Sequence, residues 1–161
     1  MVSCLSCQVC YHDKVKLYLD NSFLNRPFDD PAIPRNQMEA VILRSIIELV
    51  ESGQWDLIKS SVHAYENSLN PYPERKAYVE EMLSRANMYQ NYTDTIAKRA
   101  RELQREHGLT RYDARHVASA EIAKANAFIT SDQALIKKYN GNLYVVDPIT
   151  FFKKYDNINK T

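Results

Sequence analysis

Apolar residues follow two patterns along the chain: short runs typical of buried strands, and longer stretches with the three-to-four spacing of amphipathic helices. The short runs predict strands over 15–19, 55–59, 127–130 and 143–146. The longer stretches predict helices over 37–50, 61–69, 75–88, 93–107, 110–125 and 132–136, and a short C-terminal helix at 151–152. Because strands separated by helices favour βαβ crossovers, we predict an α/β fold whose parallel sheet is covered on both faces.

Three segments carry more specific expectations. The helix over 37–50 is expected to bury one apolar stripe, formed by Met38, Val41, Ile42, Ile46, Leu49 and Val50. The helices over 75–88 and 93–107 are expected to pack as an antiparallel pair. Residues 25–34 hold three prolines and two acids, which predicts a loop with a lid or a binding loop as its candidate role.

Length and composition fit one domain, since 161 residues of which 45% are hydrophobic suffice for one sizeable core. We place this domain at 15–155. The net charge of +1 gives no overall positive field, so nucleic-acid binding would depend on a local patch. No apolar run is long enough to span a bilayer, and no signal peptide is recognisable. We therefore expect a soluble, cytoplasmic protein with no membrane partner.

The cysteines Cys4, Cys7 and Cys10 lie with His12 in an N-terminal extension, residues 1–14. Their spacing resembles a metal-binding run. An iron–sulfur cluster would need a fourth thiolate, however, and a zinc site usually takes a second pair of ligands from a distant segment. We therefore expect the extension to be disordered with reduced cysteines, and a metal site there remains the alternative.

Four acidic residues stand near the carboxyl ends of predicted strands or in the first turns of the helices that follow: Asp20, Glu66, Asp113 and Asp132. Each has a simpler explanation, as a helix cap, as an acid that complements the helix dipole or as a surface residue. Together they point to one edge of a parallel sheet, where ligands bind. Because clustered carboxylates repel one another without a cation, we predict a Mg²⁺ or Mn²⁺ site suited to phosphodiester hydrolysis.

Four segments resemble the motifs of PIN-domain ribonucleases: LYLDNS at 17–22, SVHAYENSLN at 61–70, YDARHVASAE at 112–121 and FITSDQAL at 128–135. The resemblance covers 15–152. Its catalytic and metal-binding acids match Asp20, Glu66, Asp113 and Asp132 in the order that the family has. It implies a three-layer α/β/α sandwich, dependence on Mg²⁺ or Mn²⁺, and cleavage of single-stranded RNA in the manner of VapC-type toxins. A small antitoxin protein and a second copy of the chain are the partners to be expected.

Two positions depart from the family pattern. Asn21 stands where Thr or Ser usually follows the first acid, and Arg115 replaces an apolar residue before the histidine of the third motif. Asn21 can still orient water through its amide. The departure nevertheless keeps a second hypothesis open, in which the chain is a catalytically silent PIN-like module that binds RNA or protein.

Further residues are expected to support the acids or to contact RNA. His116 faces the same side of its helix as Asp113, and is either a metal ligand or a hydrogen-bond partner of a ligating carboxylate. Thr130 and Ser131 complete the fourth motif. The candidates for contacts with RNA phosphates, each with solvated surface arginine as its alternative, are Arg26, Arg111 and Arg115. Exposed tyrosines are candidates for base stacking, and otherwise for the core or a dimer interface.

Overall fold

Five parallel strands form the central sheet of the computed structural model, which describes residues 14–159. The strands are β1 (Val15–Leu19), β2 (Trp55–Ser60), β3 (Met88–Gln90), β4 (Ala127–Ile129) and β5 (Val145–Val146). Their order is β3-β2-β1-β4-β5, and every neighbouring pair is parallel. The predicted parallel α/β fold is therefore confirmed.

Helices cover both faces of this sheet. They are α1 (Asn21–Leu24), α2 (Pro34–Glu51), α3 (Ser61–Ser68), α4 (Pro73–Leu83), α5 (Asp94–His107), α6 (Arg111–Ile122), α7 (Gln133–Lys138) and α8 (Pro148–Asn159). A 3₁₀ turn over Arg26–Phe28 lies in the predicted loop. The layers of helix, sheet and helix form the expected three-layer sandwich. No helix among residues 14–159 is long and apolar enough to cross a membrane.

The sheet separates two apolar cores, and strand β1 supplies both. Leu17 and Leu19 enter the core built with α1, α2, α4 and α8, whereas Tyr18 enters the core built with α5, α6 and α7. Successive side chains of a strand point to opposite faces, so a strand in a sheet covered on both faces must be apolar at nearly every position. This explains why β1 appears in the sequence as a nearly continuous apolar run.

The buried stripe of α2 differs from the predicted one. Met38 and Val41 are each 51% exposed, and Glu39 is fully buried together with Leu43 and Ile46. The apolar residues of this helix outnumber the positions that face the sheet, so spacing alone allowed two overlapping stripes. The polar partners of Glu39, described below, favour the stripe that contains this acid.

Two expectations about residues 75–107 are wrong. The predicted helix ends at Leu83, and Met88 begins the short strand β3, which pairs with β2. The helices α4 and α5 do not form an antiparallel pair, because Val79 and Leu83 of α4 lie in one core and Ile96 of α5 lies in the core on the opposite face of the sheet. Strand β3, which lies between α4 and α5 in the chain, forms the edge of the sheet, and the chain crosses there from one face of the sheet to the other.

The strand order reverses between β1 and β4. The chain builds β1, β2 and β3 outward in one direction and then returns to place β4 on the other side of β1. At the carboxyl end of this strand pair the amide of Asp20 donates a hydrogen bond of 2.9 Å to the carbonyl of Ile129. Such a reversal leaves a crevice at the carboxyl edge of a parallel sheet, and the predicted acids surround it.

The predicted N-terminal extension, with Cys4, Cys7, Cys10 and His12, lies outside the described residues. Its expected disorder and the alternative metal site both stay predictions, as does the domain boundary at 15.

Candidate metal-dependent active site

Asp20 follows β1 directly and is 4% exposed. Its Oδ2 accepts hydrogen bonds from Thr130 Oγ1 at 2.7 Å and from Ser22 Oγ at 2.8 Å. Burial raises the pKa of this carboxyl, and repulsion by Glu66 adds to the effect, while His116 and the two hydroxyls partly offset it. Although Asp20 occupies the N-cap position of α1, its side chain makes no capping bond. The capping alternative for Asp20 is therefore wrong.

Asn21 is as buried as Asp20, yet both atoms of its side-chain amide lack a full hydrogen bond to any residue that the structure describes. The amide lies close enough to Glu66 to help lower the pKa of that acid. A buried amide left without a partner costs about 1–3 kcal/mol. Such a cost at the edge of an acidic crevice indicates a position that a ligand or water completes.

Glu66 extends from α3 toward α6, where its Oε2 lies 2.8 Å from Nε2 of His116. Burial raises the pKa of Glu66, but the hydrogen bond and charge of His116 outweigh it, so the pKa lies below its usual range. His116 is 1% exposed. The interpretation of His116 as a hydrogen-bond partner of a candidate ligand therefore agrees with its position.

A chain of buried groups continues behind His116. Its Nδ1 lies 2.6 Å from the hydroxyl of Tyr18, which in turn lies 2.6 Å from Oγ of Ser60. A carboxylate only accepts, so Nε2 of His116 donates to Glu66. In the neutral ring Nδ1 then accepts from Tyr18 and Tyr18 accepts from Ser60, whereas in the charged ring Nδ1 donates to Tyr18. Both orders of donors pair the buried groups and fix the ring of His116 behind Glu66.

His63 completes this arrangement at the start of α3. The backbone amide of Ser60 donates to its Nδ1 at 3.0 Å, and its Nε2 donates to the carbonyl of Leu19 at 2.7 Å. Burial and the neighbouring His116 hold the pKa of His63 well below its usual value, so the ring is neutral. A histidine thus fills the capping-box position where Glu or Gln is usual. It ties α3, which carries Glu66, to the end of β1.

Asp113 lies in the first turn of α6, whose N-cap Thr110 accepts a hydrogen bond from the Asp113 amide at 3.3 Å. The predicted cap is confirmed. Burial, together with the charges of Asp20 and Asp132, raises the pKa of the Asp113 carboxyl to about 6. The mutual repulsion expected of clustered acids therefore acts on Asp113.

Asp132 caps α7, as its alternative role predicted. Its Oδ1 accepts from the amides of Ala134 and Leu135 at 2.9 and 3.2 Å. Thr130, fully buried, also accepts a hydrogen bond of 3.0 Å from the Asp132 amide, so one hydroxyl fixes both Asp20 and Asp132. Capping uses only Oδ1 of the carboxylate, and metal binding by Asp132 stays a prediction.

Glu39 is a supporting residue that the sequence analysis missed. Its fully buried carboxylate accepts from Ser131 Oγ at 2.6 Å, from Arg26 Nε at 2.6 Å and from Arg35 Nε at 2.9 Å. Glu39 therefore holds the loop between β4 and α7, from which Asp132 extends. The available signal was its spacing of four and seven residues from Leu43 and Ile46, which puts it on the same helix face.

Two adjoining cavities open at this edge. Glu66 and Asn21 line both of them, Asp113 lines the first and Asp132 lines the second. Asp20 is buried next to them: the charge of Glu66 helps to raise the pKa of Asp20, and the charge of Asp20 helps to raise the pKa of Asp113. The fold thus brings the four predicted acids to one crevice.

The three predicted RNA-binding arginines have different surroundings. Arg26 lines the second cavity, but its guanidinium pairs with Glu39 and with Asp29. Arg111 is exposed at the start of α6. Arg115 lies 5.7 Å from the ring centre of Tyr92 and 5.9 Å from that of Tyr112. Their contacts with RNA stay predictions.

The oxygen donors of the crevice suit a hydrated ion better than a bare one. Among residues 14–159, no three His, Cys, Asp or Glu side chains are close enough to hold a bare ion between them. Mg²⁺ needs only one or two carboxylates and keeps several waters, which suits carboxylates spread around a cavity. The unpartnered amide of Asn21 provides a further oxygen there. The residues therefore fit a hydrated Mg²⁺ or Mn²⁺, and direct ligation by all four acids stays a prediction.

The raised pKa of Asp113 predicts a pH-dependent effect of Asp113→Asn on metal-free protein. The folded pKa of about 6 exceeds the usual 3.8, so ionisation destabilises the fold progressively between these two values. The unshielded penalty is about 3 kcal/mol, which solvent screening of a partly exposed group reduces to about 1 kcal/mol. Urea unfolding in EDTA is expected to show the full gain in the variant at about pH 7.5 and about a third of that gain at about pH 4.5.

Asp94→Asn serves as the control, because it removes an exposed acid from the equivalent first turn of α5. We expect no such gain from it. Equal effects of Asp113→Asn at both pH values would contradict the repulsion among the acids.

Comparisons with known proteins agree with this geometry. The family model for the PIN domain matches residues 17–141. VapBC2 from Rickettsia felis, bound to promoter DNA, has a TM-score of 0.57 at 14% identity, covering 83% of this chain and 98% of that chain. DNA-bound VapBC from Salmonella typhimurium has a TM-score of 0.57 at 18% identity, with the same coverage, 83% and 98%. PAE2754 from Pyrobaculum aerophilum has a TM-score of 0.51 at 16% identity, covering 87% and 94%. A comparison with curated proteins finds no match.

Proposed function

We propose that this chain, which belongs to the PIN-domain family, is a metal-dependent endoribonuclease that hydrolyses phosphodiester bonds of single-stranded RNA. Members of this family are in general nucleases. The observation that carries the proposal is the convergence of Asp20, Glu66, Asp113 and Asp132 on one crevice, where the pKa of Asp113 rises to about 6. Burial and repulsion from Asp20 and Asp132 together make the ionised Asp113 costly in the metal-free protein, and a divalent cation relieves this cost.

The residues of the crevice divide into ligands and supports. Asp20, Glu66, Asp113 and Asp132 would hold Mg²⁺ or Mn²⁺ directly or through water. When bound, the ion stabilises charge on the phosphate oxygens and favours deprotonation of the attacking water. Thr130 and Ser22 orient Asp20, and His116 orients Glu66. Asn21 offers its amide to water or to a phosphate oxygen.

Arg111 and Arg115 begin α6 beside Asp113 and are the candidates for contacts with the RNA backbone. Because the net charge of the chain is only +1, these local cations have to counter the repulsion between phosphate and the acids. Arg26 is a weaker candidate, since Glu39 and Asp29 already neutralise it.

A small antitoxin protein is a proposed partner, and we propose that the chain is the toxin of such a pair. The structures from Rickettsia felis and Salmonella typhimurium are VapBC assemblies, and their likeness to this chain motivates the proposal. A homodimer is the other assembly proposed. Cytoplasmic location remains the expectation.

A cleavage assay tests the proposed activity. Purified protein is incubated with end-labelled single-stranded RNA, double-stranded RNA and single-stranded DNA, each with Mn²⁺ and with EDTA. We expect internal cleavage of the single-stranded RNA with Mn²⁺ alone. Calorimetry with Mn²⁺ on the same protein detects metal binding without requiring activity.

One alternative is a catalytically silent module that binds RNA or protein at the same edge, and the feature that favours it is Asn21, which stands where the family usually has Thr or Ser. Metal binding without cleavage of any substrate would support it. Cleavage that continues in EDTA would contradict the metal-dependent mechanism.

A further inference from the structure

A second concave surface lies beside the crevice, on the side of the sheet where β3 forms the edge. It is a pocket of about 180 Å³ lined by Ser61, Val62, Tyr65, Tyr92 and Arg115. Val62 is buried at 4% exposure, whereas Tyr65 and Tyr92 remain 53% and 39% exposed. Two rings open to solvent around one pocket form an apolar site that no other side chain among residues 14–159 fills.

The rings and the cation of this aromatic pocket are held in defined positions. The guanidinium of Arg115 lies over both Tyr92 and Tyr112, and Tyr112 stacks on Tyr65 with ring centres 6.3 Å apart. The backbone amide of Tyr92 donates to Oγ of Ser61 at 3.1 Å, which pins the segment after β3 to the start of α3. Pre-positioned rings lose little conformational entropy when a ligand stacks on them.

The aromatic pocket adjoins the proposed active site through its own residues. Tyr65 directly precedes Glu66, and Tyr112 directly precedes Asp113. Tyr112 also lines the cavity that contains Glu66 and Asp113. A polymer with its phosphate at the acids would therefore place a neighbouring unit against the Tyr65–Tyr112 pair.

We propose that the aromatic pocket binds one unpaired nucleobase of the RNA, adjacent to the phosphate that is cleaved. This inference rests on the proposed function, which supplies the position of the phosphate. Unpaired bases stack on aromatic rings and on arginine planes, and the pocket offers both. Arg115 further supplies positive charge where the backbone must approach the acids.

The pocket predicts stacking with little preference among bases. The hydroxyl of Ser61, which lines the pocket, already accepts from the Tyr92 amide and lies 3.2 Å from the hydroxyl of Tyr89. The lining is otherwise mostly ring, aliphatic and guanidinium surface. Base identity is read by hydrogen bonds to base edges, whereas stacking tolerates every base.

A set of eight-nucleotide single-stranded RNAs tests this proposal, each with one abasic residue at a different position. Binding is measured in EDTA by fluorescence anisotropy, so that no metal-dependent cleavage is needed. We expect one abasic position to weaken binding to the wild-type protein about tenfold, as loss of one stacked base does. Tyr92→Leu should weaken binding of the intact RNA about as much, and the abasic residue should then cause no further loss.

Tyr144→Leu is the matched control, because Tyr144 also carries a cation over its ring, Lys154, but lies next to β5 at the opposite edge of the sheet. It should keep the tenfold abasic effect. Tyr65→Leu repeats the test if thermal unfolding shows that Tyr92→Leu is poorly folded. The proposal would be overturned if the wild type bound every RNA of the set equally or bound none detectably. It would also be overturned if the abasic residue weakened binding to Tyr92→Leu as much as it weakens binding to the wild type.

Light scattering on the same variants examines a second copy of the chain as the occupant. A lower mass for Tyr92→Leu with unchanged RNA affinity would also overturn the proposal and would assign the pocket to a dimer interface. The binding assay does not depend on the proposed activity. An abasic effect on binding without any RNA cleavage would refute the ribonuclease activity alone. RNA cleavage that Tyr92→Leu leaves unchanged, together with no abasic effect on binding, would refute the base pocket alone.

Discussion

Replacement of Asp113 by asparagine is expected to reduce Mn²⁺-dependent RNA cleavage by about a hundredfold or more while the protein folds normally. Loss of a residue that only supports a metal site costs about 10–100-fold, and loss of a charged ligand should cost at least as much. Folding should persist, because the hydrogen bond from the Asp113 amide to Thr110 does not involve the carboxylate. The same substitution relieves the repulsion from Asp20 and Asp132. Activity and stability should therefore change in opposite directions.

Two control variants separate the proposed catalytic role of Asp113 from its place in a helix start. Thr110→Ala removes the N-cap of α6 and should lower the free energy of unfolding by about 1 kcal/mol with less than about a tenfold loss of cleavage. Asp94→Asn should leave cleavage unchanged, whereas loss of cleavage in identically purified Asp113→Asn excludes a contaminating ribonuclease. The measurements are initial cleavage rates with Mn²⁺ and urea unfolding. Wild-type cleavage by Asp113→Asn would show that Asp113 only complements the helix.

The second large effect is expected for Glu39→Ala, which should lower the free energy of unfolding by about 3–5 kcal/mol. The substitution leaves Arg26 and Arg35 without the carboxylate that both contact, and it leaves Ser131 without its acceptor. Removing one partner of a buried ion pair is more costly than the net stabilisation by the pair, because the remaining charges stay partly desolvated. Urea unfolding followed by circular dichroism measures the change.

Glu48→Ala is the matched control for Glu39→Ala, since it removes an exposed glutamate from the same helix. Its effect should stay within about 0.5 kcal/mol. A loss below about 1 kcal/mol for Glu39→Ala would contradict the role of this acid as an anchor. At temperatures where the variant remains folded, cleavage should also decrease, because Ser131 no longer holds the loop that carries Asp132.

The positions of the candidate ligands follow from short stretches of sequence. Asp20 ends an apolar strand, and Asp113 follows the N-cap Thr110 by one turn. These features depend on residues within about one helical turn, so strand ends and caps are visible in the sequence. The parallel arrangement follows from the alternation of strands and helices, and it places carboxyl ends at one edge without further information.

The identity of the supporting residues depended on the tertiary structure. Tyr18 belongs to a strand in which every residue but Lys16 is apolar or aromatic, and nothing local indicates that its hydroxyl lies between Ser60 and His116. Glu39 lies 92 positions from Ser131, its partner in the loop after β4. Buried polar side chains need partners, but the sequence does not state which distant segment supplies them.

What the sequence determined by itself was the fold class, most element boundaries and the four acids with their order along the chain. What only the tertiary structure decided was the strand β3, the separation of α4 and α5 by the sheet, the buried face of α2, and the pocket between Tyr65 and Tyr92. The physical reason is the range of the interactions. Periodicity and capping act between neighbours in the chain, whereas parallel pairing, burial of a charge and the joining of two surfaces each require segments that meet only after folding.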